Sequence, residues 1–594
     1  MSTQSRPAAR ASERSALSPE RREEALRAMR ATATGEELDI LVVGGGVVGA
    51  GAALDAVSRG LSVGLLEARD WASGTSSRSS KLIHGGLRYL EQLEWHLVTE
   101  ALTERGLMLE RLCPHLARPV SFLYPLVHRG WERPYVGAGL VLYDTLGLGK
   151  GWGRGLPAHR HLGRKAMARL CPGLRPDAYV GGVRYWDAQV DDARHTMTIV
   201  RTAAGLGALA ANRTQVVGLI DEGGRVGGAT VCDLESGERF EVRARRVINA
   251  TGVWTEQTES LTGKPPRVQV RASKGVHLVV PRDRIRSESG LILRTEKSVL
   301  FVIPWGRHWL IGTTDTDWDL DRAHPAASAA DIDYLLDHVN AVLSVALTRD
   351  DIEGVYAGLR PLLVGESDAT SKLSREHTVA TPVPGLVVVA GGKYTTYRVM
   401  GKDAVDAAVQ GLGAVPESCT ERIPLVGAEG WPAVRNSVNR LAGRSGLAPE
   451  RIEHLLGRYG SLVGEVLDLV GADPSLARPL PGEGADEYLG AEVVYAVLAE
   501  GARHVEDVLA RRTRVSFEAF DRGVAAAEPV AALMAPLLGW DDDRRALEVA
   551  HYLARVEAER ESQLAPDDRA ADATRLGAPD IAPTVPIGAA TRRE

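Results

Sequence analysis

The chain has 594 residues, 71 Lys/Arg against 77 Asp/Glu, a formal net charge of −6 and 44% hydrophobic residues. This composition excludes wholesale disorder and coiled coil, implies two or three folded units, and weighs against nucleic acid as a partner, which usually calls for a basic footprint. No run approaches the ~18 consecutive apolar residues of a spanning helix. Four scattered cysteines (Cys113, Cys171, Cys232, Cys419) form no CxxC pair, so a reducing cytosol is expected rather than a disulfide framework or a zinc site.

Residues 1–37 are polar, mixed in charge and without the apolar core of a signal peptide. Ser18-Pro19-Glu20 reads as a helix start, with an N-cap, a proline at the first helical position and a dipole-favoured acid. A short surface helix in a mobile arm is expected there.

Asp39-Ile40-Leu41-Val42-Val43 is the short apolar run of a buried parallel strand. It leads into Gly44-Gly45-Gly46-Val47-Val48-Gly49, which fits GxGxxG, and then into an Ala-rich helical stretch. A second strand over 61–66 ends at Glu67, 23 positions after Gly44. In such a unit Gly44 permits the turn, Gly46 lets the backbone approach a pyrophosphate, and Gly49 allows close helix–strand packing. The helix N-terminus attracts phosphate, and Glu67 can accept both ribose hydroxyls while disfavouring the extra phosphate of NADP.

Residues 73–80 hold six Ser/Thr in eight positions and end in a patterned His84-Gly85-Gly86-Leu87-Arg88-Tyr89 rather than trailing off as a linker. Two further strand-to-small-residue junctions follow, at Asn249-Ala250-Thr251-Gly252 and at Ala390-Gly391-Gly392-Lys393. Three such junctions spread over about 350 residues imply one ligand threaded by distant segments, which suits an extended FAD better than a locally bound NAD. There is no credible second nucleotide fingerprint, and residues 147–155, with glycine at alternate positions, read as a flexible loop. Between the junctions, residues 111–169 carry ten Lys/Arg against Glu132 and Asp144, with Trp131, Tyr135 and Trp152 interspersed. That segment is either a solvated basic face or a surface for an anionic membrane.

Six motifs in order carry a family resemblance: the run from Ser79 to Leu90, Val190-Asp191-Asp192-Ala193-Arg194, Asn249-Ala250-Thr251-Gly252, Ile311-Gly312-Thr313-Thr314-Asp315, Gly358-Leu359-Arg360-Pro361-Leu362, and the run from Gly391 to Arg398. Together they resemble the FAD-dependent, quinone-linked glycerol-3-phosphate dehydrogenases, from about residue 38 to at least Arg514, where Leu509-Ala510-Arg511-Arg512-Thr513-Arg514 is similar to the family's C-terminal helical domain. Val48 and Tyr394 depart from the family's usual Asn and Leu, near the expected flavin path.

The resemblance implies an α/β fold: an FAD-binding Rossmann-like domain (38–90, 190–262, 350–412) interleaved with an antiparallel-sheet substrate domain (91–189, 263–349). A C-terminal helical domain (413–560) and an unpacked tail (561–594) complete the expectation. Helical periodicity over 451–469 and 491–512 fits packing within that last domain, or a homodimer contact.

It also implies oxidation of sn-glycerol 3-phosphate to dihydroxyacetone phosphate, with electrons passed to a quinone, or to oxygen in an oxidase. His277 is the implied base, unless an arginine-polarised water takes the proton. Arg360 and Arg375 are the implied phosphate clamp, Lys393 a cation near flavin and substrate, and Arg88 and Tyr89 the completion of the pocket. Thr313-Thr314-Asp315 reads as a turn after a strand and carries no expected role. Cofactor contacts are expected from Gly44, Gly46, Gly49, Glu67, Thr75, Ser76 and Ser80. Lys81, Leu82, His84, Thr251, Gly252, Gly392, Lys393 and Thr395 complete that set. The expected place is the cytoplasm, peripheral at the inner face of the plasma membrane.

Overall fold

The computed structural model describes residues 13–86, 94–148, 156–295, 299–364 and 376–587. Its first sheet runs in the order His377–Val383, Leu386–Gly391, Arg239–Asn249, Leu38–Val43, Val63–Leu66, Leu209–Ala211. The last five of these strands are parallel neighbours, and His377–Val383 pairs antiparallel at the edge. Ile40, Leu41, Val42, Leu65, Val247 and Ile248 are essentially inaccessible, because helices Val47–Ser58 and Tyr397–Ala408 cover one face and apolar strand residues fill the other.

A second sheet of ten strands holds the antiparallel layer, with one parallel pair between Gly290–Arg294 and Arg118–Leu126. Gly354–Leu363 differs from its expected place in the FAD-binding piece. It pairs along its whole length with Val270–Pro281, from Gly354 opposite Val279 to Leu363 opposite Val270. Leu82–Ile83 likewise pairs into this sheet, against Gly181–Gln189. Both strands cross the border between the layers and so tie the dinucleotide fold to the second sheet.

The N-terminal segment is docked rather than mobile over its described part. In helix Pro19–Ala31 the Ser18 hydroxyl accepts from Arg21 N as expected, while Leu26 and Met29 are buried against the first sheet. Arg22 is also buried, paired with Asp233. The few apolar positions and a buried, paired arginine made this helix look solvated in sequence.

The C-terminal helices pack on the same body. Gly460, at φ +58°, breaks the expected 451–469 helix into Pro449–Tyr459 and Val463–Ala472. Helices Gly490–Glu500 and Val524–Leu538 share a core with Val508 and Val515. A layer of buried ion pairs closes the joint with the first domain. Asp70 takes Arg511 and Arg512, Glu500 takes Arg194, and Arg514 reaches Asp191 and Asp192. The Asp191-Asp192 and Arg511-to-Arg514 motifs, some 320 residues apart, are thus two halves of one contact.

The expected tail is packed as well over its described part, residues 561–587. Helix Asp568–Leu576 follows the long helix Asp542–Ser562, with Ala571 fully buried. Its anchors are charges rather than large apolar groups, which is why the composition resembled an unpacked terminus.

Candidate active site

All three strand-to-glycine junctions lie on adjacent strands, Leu38–Val43, Arg239–Asn249 and Leu386–Gly391, and open onto one cleft of about 900 Å³. Its walls include Gly44, Gly46, Glu67, Thr75, Ser76, Thr251, Gly252, Gly392 and Lys393. Parallel strands end together, so residues at their carboxyl ends converge wherever they fall in sequence.

The glycine turn has the shape a pyrophosphate needs. Gly44 sits at φ +112°, and a Cβ on Gly49 would come within 1.9 Å of the Gly44 carbonyl oxygen. A Cβ on Gly46 would meet only Ser76 Oγ, at 3.2 Å, and would otherwise project into the cleft. Ser76 Oγ in turn accepts from Val47 N (2.9 Å) at the helix start. Glu67 accepts from Gly45 N and Arg69 N, both at 2.7 Å, which fixes the acid at the far rim. A 12-residue helix aimed at an open glycine, with an anchored carboxylate one strand away, fits the diphosphate and ribose of FAD.

Beside this cleft, the two-residue period of the second sheet puts Ser273, Gly275 and His277 on one face with Tyr356, Gly358 and Arg360. The paired glycines leave room above the sheet. Arg360 uses it: a Cβ on Gly275 would lie 2.7 Å from its Nη2 and 2.5 Å from Thr313 Oγ1. The guanidinium donates to Thr313 Oγ1 (3.1 Å) and to the Thr314 carbonyl (3.2 Å), and it pairs with Asp315 (3.4 Å). Arg360 is therefore held above Gly275, two strand positions from His277. The adjacent Pro361 lines the cleft.

His277 is buried, with Nε2 2.9 Å from Ser80 Oγ and its ring stacked on Tyr356. Its Nδ1 has no hydrogen-bond partner among the described residues. Burial, reinforced by the Arg360 and Lys81 cations, holds the imidazole pKa well below the ordinary histidine value. It is neutral near pH 7 and able to accept a proton.

Lys393 precedes the turn Tyr394–Thr396 at the cleft, and Thr395 Oγ1 reaches the His84 carbonyl (3.3 Å). Tyr394, a departure from the family pattern, donates to the Asp192 carbonyl (2.8 Å) and meets His195 Nδ1 (3.0 Å). Its hydroxyl is thus tied to the first turn of helix Asp192–Gly205.

Lys81 directly precedes the strand Leu82–Ile83. Its ammonium turns away from the cleft to Asp192 Oδ1 (2.9 Å) and the Ser77 carbonyl (3.1 Å), beneath the C-terminal domain. Burial first, and Arg514 second, bring it down to about 8. Leu82 is buried as a strand residue, and its side chain is outside the cleft lining. Arg88, Tyr89 and Arg375 lie outside the described residues.

Several site residues escaped the sequence reading. Thr313, Thr314 and Asp315, taken for a turn, hold the Arg360 guanidinium. Asp192 accepts from Ser79 N (2.9 Å) and Ser79 Oγ (2.7 Å), which positions the segment that presents Ser80 to His277. Gln215, Val216 and Thr584–Ile587 also line the cleft. No motif marks them; the backbone bonds from Thr214 N to the Glu67 carbonyl (2.8 Å) and from Arg213 N to the Arg69 carbonyl (2.9 Å) bring the Gln215 strand there.

A family model described as FAD dependent oxidoreductase matches residues 39–407, and one described as the C-terminal domain of alpha-glycerophosphate oxidase matches 418–545. The chain is 59% identical over 549 residues to glycerol-3-phosphate dehydrogenase 2 of Mycobacterium tuberculosis, covering 92% of each chain. It is 37% identical over 533 residues to the mitochondrial glycerol-3-phosphate dehydrogenase of Homo sapiens, covering 86% of this chain and 72% of that one. The crystal structure of a glycerol-3-phosphate dehydrogenase from Bacillus halodurans, complexed with FAD, superposes with a TM-score of 0.75 at 30% identity, covering 93% of this chain and 99% of that chain.

Proposed function

The chain belongs to the FAD-dependent glycerol-3-phosphate dehydrogenase family, and we propose that it oxidises sn-glycerol 3-phosphate to dihydroxyacetone phosphate and delivers the electrons to a membrane quinone. The observation that carries the reading is the neutral His277 and the fixed Arg360 on one sheet face beside the glycine cleft. FAD, bound in that cleft, supplies the acceptor for the hydride leaving the secondary carbinol carbon.

His277 accepts the hydroxyl proton at Nε2, the atom that meets Ser80 Oγ. Arg360 grips the phosphate dianion, with Arg375 as the second arm of the clamp. Arg88 and Tyr89 complete the substrate pocket. Lys393, at the cleft end of its strand, supplies positive charge where negative charge accumulates as the substrate is oxidised. Two arginine forks make glycerol a much poorer substrate than its phosphate.

For the acceptor, the supporting features lie in segment 111–169. Trp131 is 56% and Tyr135 51% exposed, and Val127 and Val141 are exposed nearby. Arg129, Arg164, Lys165 and Arg169 are exposed on the same segment. Among the described residues no helix is long and apolar enough to cross a membrane. Interfacial aromatics with basic neighbours favour peripheral attachment to an anionic leaflet, the inner face of the plasma membrane, where quinone is reached. Oxygen, giving hydrogen peroxide, is the competing acceptor.

The test is an anaerobic titration of the yellow protein with glycerol 3-phosphate. Flavin absorbance should bleach, and a soluble quinone should restore it faster than air does. Failure to bleach rejects the substrate. Rapid recolouring in air with stoichiometric peroxide rejects the quinone in favour of the oxidase.

A further inference from the structure

Residues 546–587 lie beyond the stretch matched by the C-terminal family model, and they return to the first domain as a belt. The long helix Asp542–Ser562 leads to a short one, Asp568–Leu576. There Asp568 pairs with the buried Lys274 on the far face of the His277 strand, and Asp572 Oδ1 accepts from Asp321 N (3.3 Å). The His551 ring then meets the Pro579 carbonyl at 2.7 Å. Asp580 pairs with His324 Nε2 (2.8 Å) and Arg69 Nε (3.1 Å).

Past this double anchor the chain lies along the mouth of the cleft, where Thr584, Val585, Pro586 and Ile587 form part of its wall. The last fastening is reciprocal. Gln215 Nε2 donates to the Val585 carbonyl (2.9 Å), and Val585 N donates to Gln215 Oε1 (2.8 Å), so one glutamine side chain acts as a strand partner.

The location specifies which end of the ligand is covered. Gln215 is the second residue of the strand Thr214–Asp221, whose first residue bonds Glu67, and Arg69 follows Glu67 in the chain. In a GxGxxG unit the acid at the end of the second strand takes the ribose next to the adenine. Lys393 stands on the opposite flank of the sheet. We propose that residues 578–587 are a built-in strap over the adenosine end of the FAD site, fastened by Asp580 to Arg69 and His324 and by Val585 to Gln215, and that it slows release of the cofactor. This rests on the assignment of FAD to the glycine cleft.

The strap explains two features otherwise unaccounted for. Gln215 is a buried polar side chain whose amide oxygen and nitrogen both bond the backbone of one residue, Val585. Asp580 gathers two guanidiniums, Arg69 and Arg555, and the His324 ring at one point of the first domain's surface.

The experiment compares FAD release from two purified holoproteins with the wild type, read as recovery of free-flavin fluorescence after dilution, and FAD retention in a third protein. A chain ending at Pro583 removes the peptide in the cleft mouth and keeps both helices and Asp580. Gln215→Met keeps the whole chain and deletes both hydrogen bonds at nearly constant volume. Each should release FAD about tenfold faster, the scale expected from two lost hydrogen bonds, while the melting temperature of the apoprotein stays at the wild-type value. Release within twofold of wild type in Gln215→Met overturns the strap, whatever the truncated chain does. The third protein, Gly46→Val, separates the two premises. If it fails to retain FAD while Gln215→Met behaves as wild type, the cleft assignment stands and the strap alone falls. If it retains FAD, both fall.

Discussion

The imidazole of His277 lies flat on the phenol ring of Tyr356, centroids 4.8 Å apart and 10° from parallel. Tyr356 is held by its own hydroxyl, which donates to the Ser79 carbonyl at 3.0 Å. The imidazole is therefore clamped between a ring on its strand neighbour and the Ser80 hydroxyl. Burial, with the Arg360 and Lys81 cations nearby, favours the uncharged ring.

The consequence for pH is directional. The His277 pKa in the folded protein lies below the ordinary value of 6.5, so kcat/KM should stay flat through pH 6.5 and fall only at lower pH. The same shift acts on stability. Below pH 6.5 the unfolded chain binds a proton that folded His277 refuses, so this group's contribution is complete above 6.5 and declines as pH drops below it. His277→Ala should lower kcat by about 10²–10⁴ and abolish the part of the acid limb due to this residue. An acid limb centred at or above pH 6.5 in the wild type would contradict the assignment.

Arg360 is positioned by what is missing beneath it. A methyl group on Gly275 would meet the guanidinium at 2.7 Å and Thr313 Oγ1 at 2.5 Å, and Thr313 is itself a guanidinium partner. Gly275→Ala should therefore behave as a mild Arg360 variant without touching the charge. Arg360→Lys, which replaces a fork by a point charge, should raise KM for glycerol 3-phosphate about ten- to a hundredfold, with FAD content unchanged. Gly275→Ala should shift KM in the same direction by less. An unchanged KM in Arg360→Lys would remove this arginine from the phosphate clamp.

Asp192 joins the catalytic layer to the C-terminal domain. Its carboxylate takes Lys81 and Arg514 on one side and Ser79 on the other, all in the interior. Replacement by Asn leaves two buried cations to share Asp191. That should cost about 3–5 kcal/mol, the range for breaking a buried pair from one side. Because Ser79 is released next to Ser80, kcat should fall while KM for substrate stays near wild type. Chemical denaturation monitored with steady-state kinetics tests both; a variant as stable as the wild type would show the cluster to be redundant.

How far the sequence reached depends on the kind of signal. The Leu38–Val43 strand, its glycine turn and the two later junctions were legible because parallel strands need continuous apolar runs and phosphate turns need glycine, both local requirements. The antiparallel layer was legible as alternation, but not its membership. Gly354–Leu363 joined it because ten residues of alternation found a partner in Val270–Pro281, a long-range fact no window contains. His277 and Arg360 were recoverable only through the family pattern, whereas their shared face follows at once from the register. The docked Pro19–Ala31 helix and the 578–587 belt were missed for one physical reason. Both are fastened by charged side chains, Arg22 to Asp233 and Asp580 to Arg69, and charge reads as exposure until its partner is known.

The membrane assignment has two separable parts. Arg164 and Lys165 are exposed on the basic segment, and each lysine or arginine near an anionic leaflet contributes about 1 kcal/mol, an interaction that salt screens. Trp131 and Tyr135 are exposed and in ring contact, centroids 6.1 Å apart, and an aromatic pair at the headgroup level binds largely independently of salt. Arg164→Gln with Lys165→Gln should therefore weaken binding to anionic vesicles roughly thirtyfold at low ionic strength and much less in high salt. Trp131→Ser with Tyr135→Ser should weaken it at both. Vesicle sedimentation at two salt concentrations reads the difference, and turnover with soluble glycerol 3-phosphate and a water-soluble acceptor should be unaltered in either pair. Equal sedimentation of wild type and both double variants would leave the segment as a solvated basic face.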